Sequence, residues 1–215
     1  MKKNKINVFK NVLFFSFLIL VFQFCTKPKE QVSDTVSNEV NELPADTVVS
    51  ISMVNGQPYP VTSKVPVYYS LENNAAISLS DSLTDKWDIG FKTSSRGESL
   101  LFTNSKYSGG GFVYKKEYSM VTEVPLDSVF VLDTKPGSAF GANWYTYNPQ
   151  SHSVSPTPGL TLMIKGPKGN YAKIEMLSFY KGKAVPTTQN ELFTKAYFYS
   201  FRYIYQKNSA LKTFN

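Results

Sequence analysis

Cysteine and histidine are almost absent from this sequence of 215 residues, which contains one of each. A single cysteine excludes an internal disulfide and any cysteine-cluster site for zinc or an iron–sulfur centre. A single histidine excludes a multi-histidine metal site within one chain. The positions of these two residues, Cys25 and His152, therefore carry much of what the sequence says about function.

Catalytic motifs are also lacking. The sequence has no G-x-S-x-G, H-E-x-x-H or P-loop pattern. A Ser-His-Asp triad would have to use His152, whose loop, NPQSHSVSPTPG, has no signal for an oriented imidazole. Asp85 and Asp88 fall where a turn meets a strand, a position typical of solvated or capping carboxylates. We therefore expect a protein that is not an enzyme.

Basic residues outnumber acidic ones, 23 to 16, which gives a net charge of +7. Four of the lysines lie in the first ten residues, which contain no acid, so the chain without residues 1–24 has a net charge of +3. Apart from Lys115-Lys116, no basic run exists in the remainder. This pattern predicts no nucleic-acid partner.

Residues 1–24 have the pattern of a lipoprotein-type signal peptide. A basic start precedes the apolar run 11–24, which is short for a transmembrane helix, and Cys25 follows at once. Diacylation of Cys25 would anchor the exported chain in a membrane. Bulky residues precede this cysteine, so an ordinary signal peptide cut elsewhere and an uncleaved signal anchor are the alternatives.

Two regions follow the signal. Residues 25–46 comprise the lipidated cysteine and a polar stretch without aromatics, which predicts a flexible tether. Residues 47–215 alternate Val, Ile, Tyr and Phe runs with Gly, Pro, Asn and Ser clusters, which predicts a single all-β domain of antiparallel strands with long loops and little or no helix. Predicted strands cover residues 48–54, 65–71, 86–92, 99–104, 111–115, 128–133, 143–148, 160–166, 170–180 and 193–206.

The last of these strands, FTKAYFYSFRYIYQ, has an almost wholly aromatic face from Phe193 to Tyr205. Two interpretations are open. The face either packs into the core with its hydroxyls at the rim, or forms an aromatic wall for a flat ligand.

Soft and imidazole ligands are few in the domain. His152, Met120 and Met163 are candidates for ligating haem iron, which accepts His, Met or Tyr axially. The alternatives are core packing for the methionines and an exposed loop position for the histidine.

An ordered set of motifs resembles the HmuY family of haem-binding lipoproteins over residues 48–206. Its more specific parts are the W-D-I-G-F element at 87–91 and the G-P-K-G-N-Y-A-K-I hairpin at 166–174. Further parts are YYSLEN (68–73), the glycine run 109–111, and Trp144 to Tyr147 followed by His152. The resemblance implies a hand-like all-β fold in which two axial ligands lie on loops at one end.

The resemblance also implies function. It predicts an outer-membrane lipoprotein, exposed at the cell surface, that takes haem from host haemoproteins and passes it to a TonB-dependent receptor. The second ligand loop would be 148–155, with His152 as the ligand and Tyr145 and Tyr147 as candidate pocket residues. The first would fall between Pro125 and Trp144, which has neither His nor Met. The alternative is a surface lipoprotein of the same fold that serves adhesion, assembly or another ligand.

Overall fold

Antiparallel strands are the main secondary structure of the computed structural model, which describes residues 34–134 and 139–214. The predicted signal peptide and the predicted lipidation site, Cys25, lie outside the described residues. The strands are β1 (Thr35–Pro44), β2 (Val48–Val54), β3 (Gln57–Thr62), β4 (Val67–Ser70), β5 (Ala75–Ala76), β6 (Ile89–Thr93), β7 (Ser99–Thr103), β8 (Gly110–Tyr114), β9 (Val131–Leu132), β10 (Tyr145–Asn148), β11 (Ser153–Pro156), β12 (Thr161–Lys165), β13 (Tyr171–Tyr180) and β14 (Ala196–Gln206).

These strands form four sheets. The largest has the order β1-β14-β13-β12-β8-β9, the second has the order β5-β4-β6-β7, and β2–β3 and β10–β11 are separate hairpins. The all-β prediction is confirmed. One α-helix, α1 (Gln189–Lys195), interrupts the described chain before β14. It begins at a capping box, in which the Thr188 side chain accepts a hydrogen bond from the Glu191 backbone N–H.

The prediction of a flexible tether up to residue 46 is wrong for its second half. Residues Thr35–Pro44 form β1 and pair with β14 from Thr35 opposite Gln206 to Pro44 opposite Phe198. Side chains of this edge strand alternate between half-buried and exposed, so its composition is polar although its backbone is paired. Strand pairing in the described chain therefore begins at Thr35, upstream of the predicted domain start at residue 47.

The aromatic face of β14 lies in the main core, between the six-stranded and four-stranded sheets. Tyr199, Phe201 and Tyr203 are fully buried, and the Phe91 ring from β6 lies 4.8 Å from the Tyr199 ring and 5.6 Å from the Phe201 ring. The Tyr203 hydroxyl donates to the Leu71 carbonyl at 2.8 Å. The core interpretation is confirmed, and that of a ligand-binding wall is wrong, because the second sheet covers these rings.

The opposite face of the six-stranded sheet is covered by a smaller cluster, formed by Val121, Val124, Met163 and Phe214. Beside it, the buried Lys173 donates through Nζ to the carbonyls of Tyr118 at 2.9 Å and Val121 at 2.6 Å. Burial, followed by the nearby positive charge of Arg202, lowers the pKa of the Lys173 ammonium group. The lysine thus fastens the segment after β8 onto the sheet.

The two most specific motif elements of the sequence touch each other. Asp88 accepts a hydrogen bond from the Leu71 N–H at 2.8 Å, and its other carboxylate oxygen lies against Gly166. A Cβ atom on Gly166 would lie 2.4 Å from Asp88 Oδ1. Burial raises the pKa of the Asp88 carboxyl to about 6. These motif residues therefore lie in close contact where the two sheets meet.

Candidate functional site

The β10–β11 hairpin carries three of the predicted site residues. Tyr145 and Tyr147 lie on β10, opposite Pro156 and Val154, and His152 lies in the turn that joins the strands. The Asn148 side chain accepts hydrogen bonds from the N–H groups of Gln150 at 2.9 Å and Ser151 at 3.2 Å, which shapes this turn.

His152 has a positive φ of 56°, in the left-handed region that few non-glycine residues adopt. Its imidazole is exposed, and Nδ1 lies 2.6 Å from the Tyr147 hydroxyl. When Nδ1 carries the proton and donates it to this oxygen, the lone pair of Nε2 is free to bind a metal. This is the arrangement by which a second residue orients a metal-ligating histidine.

The rest of the hairpin is fastened to the main core. The Val154 N–H donates to the Tyr180 hydroxyl at 2.8 Å, and the Trp144 indole donates to the Ser99 carbonyl at 3.3 Å. The Tyr145 ring packs edge-on against Trp144, with 4.9 Å between their centroids. Burial raises the pKa of the Tyr145 hydroxyl. The tip, with Tyr147 and His152, is therefore the end of the hairpin that is exposed to solvent.

The structure does not bring Met120 or Met163 to this histidine. Met163 is fully buried in the small cluster, on the face of the six-stranded sheet opposite the main core. Met120 is 61% exposed in the 3₁₀ turn Tyr118–Met120, next to Val121 of that same cluster. The β10–β11 hairpin packs instead through Tyr145 and Val154 against the main core. The sheet thus separates both methionines from His152.

A cavity of about 470 Å³ lies at the base of the hairpin. Three strand steps of about 3.4 Å, roughly 10 Å in all, separate this base from the tip. Sequence reasoning missed this cavity, which is lined in part by Ala139 and Asn143 of the first predicted ligand loop. Part of the first loop, residues 135–138, lies outside the described residues. The cavity is lined by Val113, Lys115, Ala139, Asn143, Thr157 and Leu160.

Clustered metal ligands and membrane-spanning helices are both lacking in the described ranges. Residues 34–134 and 139–214 contain no group of three or more His, Cys, Asp or Glu side chains that could hold a metal ion. No helix in the same ranges has the length and apolar character to span a membrane.

Comparison with known proteins gives structural matches alone. No protein-family profile and no curated protein matches the chain. The structure is similar to that of the apo HmuY analog of Tannerella forsythia, with a TM-score of 0.50, 17% identity and coverage of 83% of this chain and 100% of that one. This likeness shows an HmuY-like fold, as the motifs predicted.

Two further structures match with lower scores. Apo PinO of Porphyromonas gingivitis has a TM-score of 0.42 at 14% identity, with coverage of 82% of this chain and 99% of that one. A protein of Bacteroides vulgatus described as HmuY-like and heme-binding has a TM-score of 0.42 at 11% identity, with coverage of 80% and 92%.

Proposed function

We propose that this chain is an exported, lipid-anchored and non-enzymatic haem-binding protein in which His152 ligates the iron. The observation that carries the proposal is the 2.6 Å contact between the Tyr147 hydroxyl and His152 Nδ1 at an exposed hairpin tip. This contact orients the imidazole and leaves Nε2 available. The HmuY-like fold and the description of the Bacteroides vulgatus neighbour as heme-binding agree with it.

The described donors support one axial ligand. Haem iron takes a histidine readily, and the exposed Tyr147 ring beside His152 is an apolar surface on which a porphyrin could rest. The proposal gives no role to the other two candidate ligands, Met120 and Met163, because Met163 is fully buried and Met120 adjoins Val121 of the small cluster rather than the hairpin. His152 alone would hold the iron from this chain, and a protein that gives or receives haem would supply any further ligand.

The remaining parts of the proposal concern the surroundings of the protein. Lipidation at Cys25 would hold the domain at the outer membrane, with residues 26–33 between the anchor and the first described residue. The exposed hairpin tip would receive haem from host haemoproteins and release it to a TonB-dependent receptor.

Titration with hemin tests the iron ligand. The chain from Thr26 onward contains every described residue and can be used without the predicted signal peptide and Cys25. We expect a sharp Soret band for this chain. His152→Asn should shift or abolish the band, and it suits the site because asparagine tolerates the positive φ at this turn.

Met120→Ala is the matched control, since this exposed methionine lies on the other face of the sheet. Its spectrum should equal that of the unsubstituted chain. No spectral change with micromolar hemin, or an unaltered spectrum in His152→Asn, would reject His152 as the ligand.

The cavity at the hairpin base favours a second candidate, a surface lipoprotein for a ligand other than haem. Its size suits a small molecule, and Lys115, Asn143 and Thr157 offer polar contacts, but no lining residue is a haem-iron ligand. The same hemin titration separates the candidates. A missing Soret band, together with a thermal shift from a small anionic ligand that is lost in Lys115→Ala, would favour the cavity.

A further inference from the structure

The β2–β3 hairpin, residues 48–62, is the most exposed apolar element of the described chain, and it contains no charged residue. Its turn, Asn55-Gly56, has φ values of 50° and 77°, as the type I′ turn of a two-residue hairpin requires. Met53 is 66% exposed and Ile51 46% exposed. The hairpin forms a two-stranded sheet of its own, so each strand has an outer edge.

Prolines close one of these two edges. Pro60 lies opposite Ile51 and Pro58 opposite Met53. Proline has no N–H, so both are non-hydrogen-bonded pairs, whose backbone groups point away from the partner strand. The outer edge of β3 therefore lacks N–H donors at residues 58 and 60, which is how natural proteins block strand pairing.

The outer edge of β2, in contrast, keeps unpaired backbone groups. The N–H and C=O groups of Ile51 and Met53 point outward from β2, because both residues belong to non-hydrogen-bonded pairs. No described residue forms a hydrogen bond with these outward groups. The domain contacts the hairpin elsewhere: the Tyr59 hydroxyl of β3 donates to the Arg96 carbonyl at 3.0 Å, and β2 lies beside α1, with Val48 at its start packed against the main core.

We propose that the open edge of β2 pairs with β2 of a second copy of this chain, antiparallel and about a twofold axis at Ser52. In this register Ile51 of each copy lies opposite Met53 of the other. Each such pair exchanges two backbone hydrogen bonds, so four bonds join the copies. The two hairpins then form one four-stranded sheet.

The chemistry of the edge favours a second copy as its occupant. The partner must be an extended strand with free groups two residues apart, which β2 itself provides. Since the hairpin has no charged residue, self-pairing places no like charges opposite each other. Apolar side chains of Ile51 and Met53 meet on one face of the new sheet. Such a twofold contact closes after two copies and does not propagate.

Disulfide trapping tests the register. Ser52 is the residue that faces itself across the axis, in a non-hydrogen-bonded pair with Cα atoms about 4.5 Å apart, within disulfide range. We expect Ser52→Cys, in the chain from Thr26, to form an intermolecular disulfide under mild oxidation. Ser50→Cys is the matched control, because residue 50 faces residue 54 of the other copy, and it should cross-link about tenfold more slowly or less.

A backbone variant tests the hydrogen bonds. Met53→Pro removes the outward N–H without touching a bond inside the hairpin. In the Ser52→Cys background it should slow cross-linking about tenfold, whereas Met53→Ala, which keeps the N–H, should slow it less. Equal cross-linking of Ser52→Cys and Ser50→Cys, or a concentration-independent monomer mass by sedimentation, would overturn the proposal.

Discussion

The Asp88–Gly166 contact and the Tyr147–His152 pair differ in what surrounds them. The first lies between the two sheets, with Asp88 only 6% exposed, and the second lies at the tip of a hairpin, with Tyr147 51% exposed. The first contains the motifs that carry the resemblance, and the second contains His152, the proposed ligand of haem iron. Substitutions at the first should change stability, and substitutions at the second should change binding.

Protonation of Asp88 should have the largest effect. Its pKa is about 6 in the folded state and near 3.8 in the unfolded state, so the folded protein holds more protons between these values. Its contribution to the free energy of unfolding is therefore complete below pH 3.8 and is lost as the pH rises through 6. Between these two limits the free energy of unfolding should fall by about 3 kcal/mol.

Urea unfolding at a series of pH values between 4 and 7 measures this effect. Asp88→Asn keeps an oxygen that can accept from the Leu71 N–H. It should remove the part of the pH dependence of the free energy of unfolding that comes from Asp88. If both proteins showed the same slope, the titrating group would lie elsewhere. Hemin affinity should be the same in both proteins at pH 7, because the site is remote from Asp88.

Gly166→Ala should have the next largest effect. The added Cβ would lie 2.4 Å from Asp88 Oδ1, so the Asp88 carboxylate must move. This movement should weaken the hydrogen bond that Asp88 Oδ2 accepts from the Leu71 N–H. We expect a loss of about 2 kcal/mol in the free energy of unfolding. Lys168→Ala, in the same turn, is the control.

Lys168 forms an exposed ion pair with Glu72 at 2.9 Å, so its loss should cost under about 1 kcal/mol. Chemical denaturation compares the two variants. An effect of Gly166→Ala no larger than that of Lys168→Ala would show that the glycine contact is loose.

Tyr147→Phe should have the smallest effect on stability and a clear effect on binding. The variant removes the hydroxyl that holds His152 Nδ1, and loss of such a partner lowers metal affinity by about tenfold or more. Because the tyrosine is half exposed, the free energy of unfolding should change by less than about 0.5 kcal/mol. Hemin titration and urea unfolding measure the two quantities.

Thr146→Val is the matched control on the same strand. Its hydroxyl pairs with that of Thr157 at 2.9 Å and does not contact His152, so hemin affinity should not change. Wild-type affinity in Tyr147→Phe would mean that the tyrosine does not orient the ligand.

Much of the strand pattern could be predicted from the sequence, because alternation of side chains is local. The prediction for 48–54 has the same bounds as β2, and 170–180 differs from β13 by one residue. Two missed elements had local signals as well. The Asn55-Gly56 turn is typical of a hairpin and so predicts β3, and the capping box from Thr188 to Glu191 predicts the start of α1.

Other elements had no local signal. The predicted strand 128–133 is reduced to the two residues of β9, since only Val131 and Leu132 meet β8. At the candidate site, His152 could be named from residue type, and Tyr145 and Tyr147 from the resemblance. Their separation from Met120 and Met163 could not, because it depends on which face of the sheet each segment covers.

By itself, the sequence determined the all-β class, the exclusion of cysteine-cluster and multi-histidine sites, and the short list of groups able to bind iron. These follow from composition and from patterns within a few residues. Only the tertiary structure decided that Thr35 pairs with Gln206, that the aromatic face of β14 is covered, and that Tyr147 orients His152. Pairing, burial and hydrogen bonding of this kind depend on contacts that the folded backbone brings together, often across more than a hundred residues.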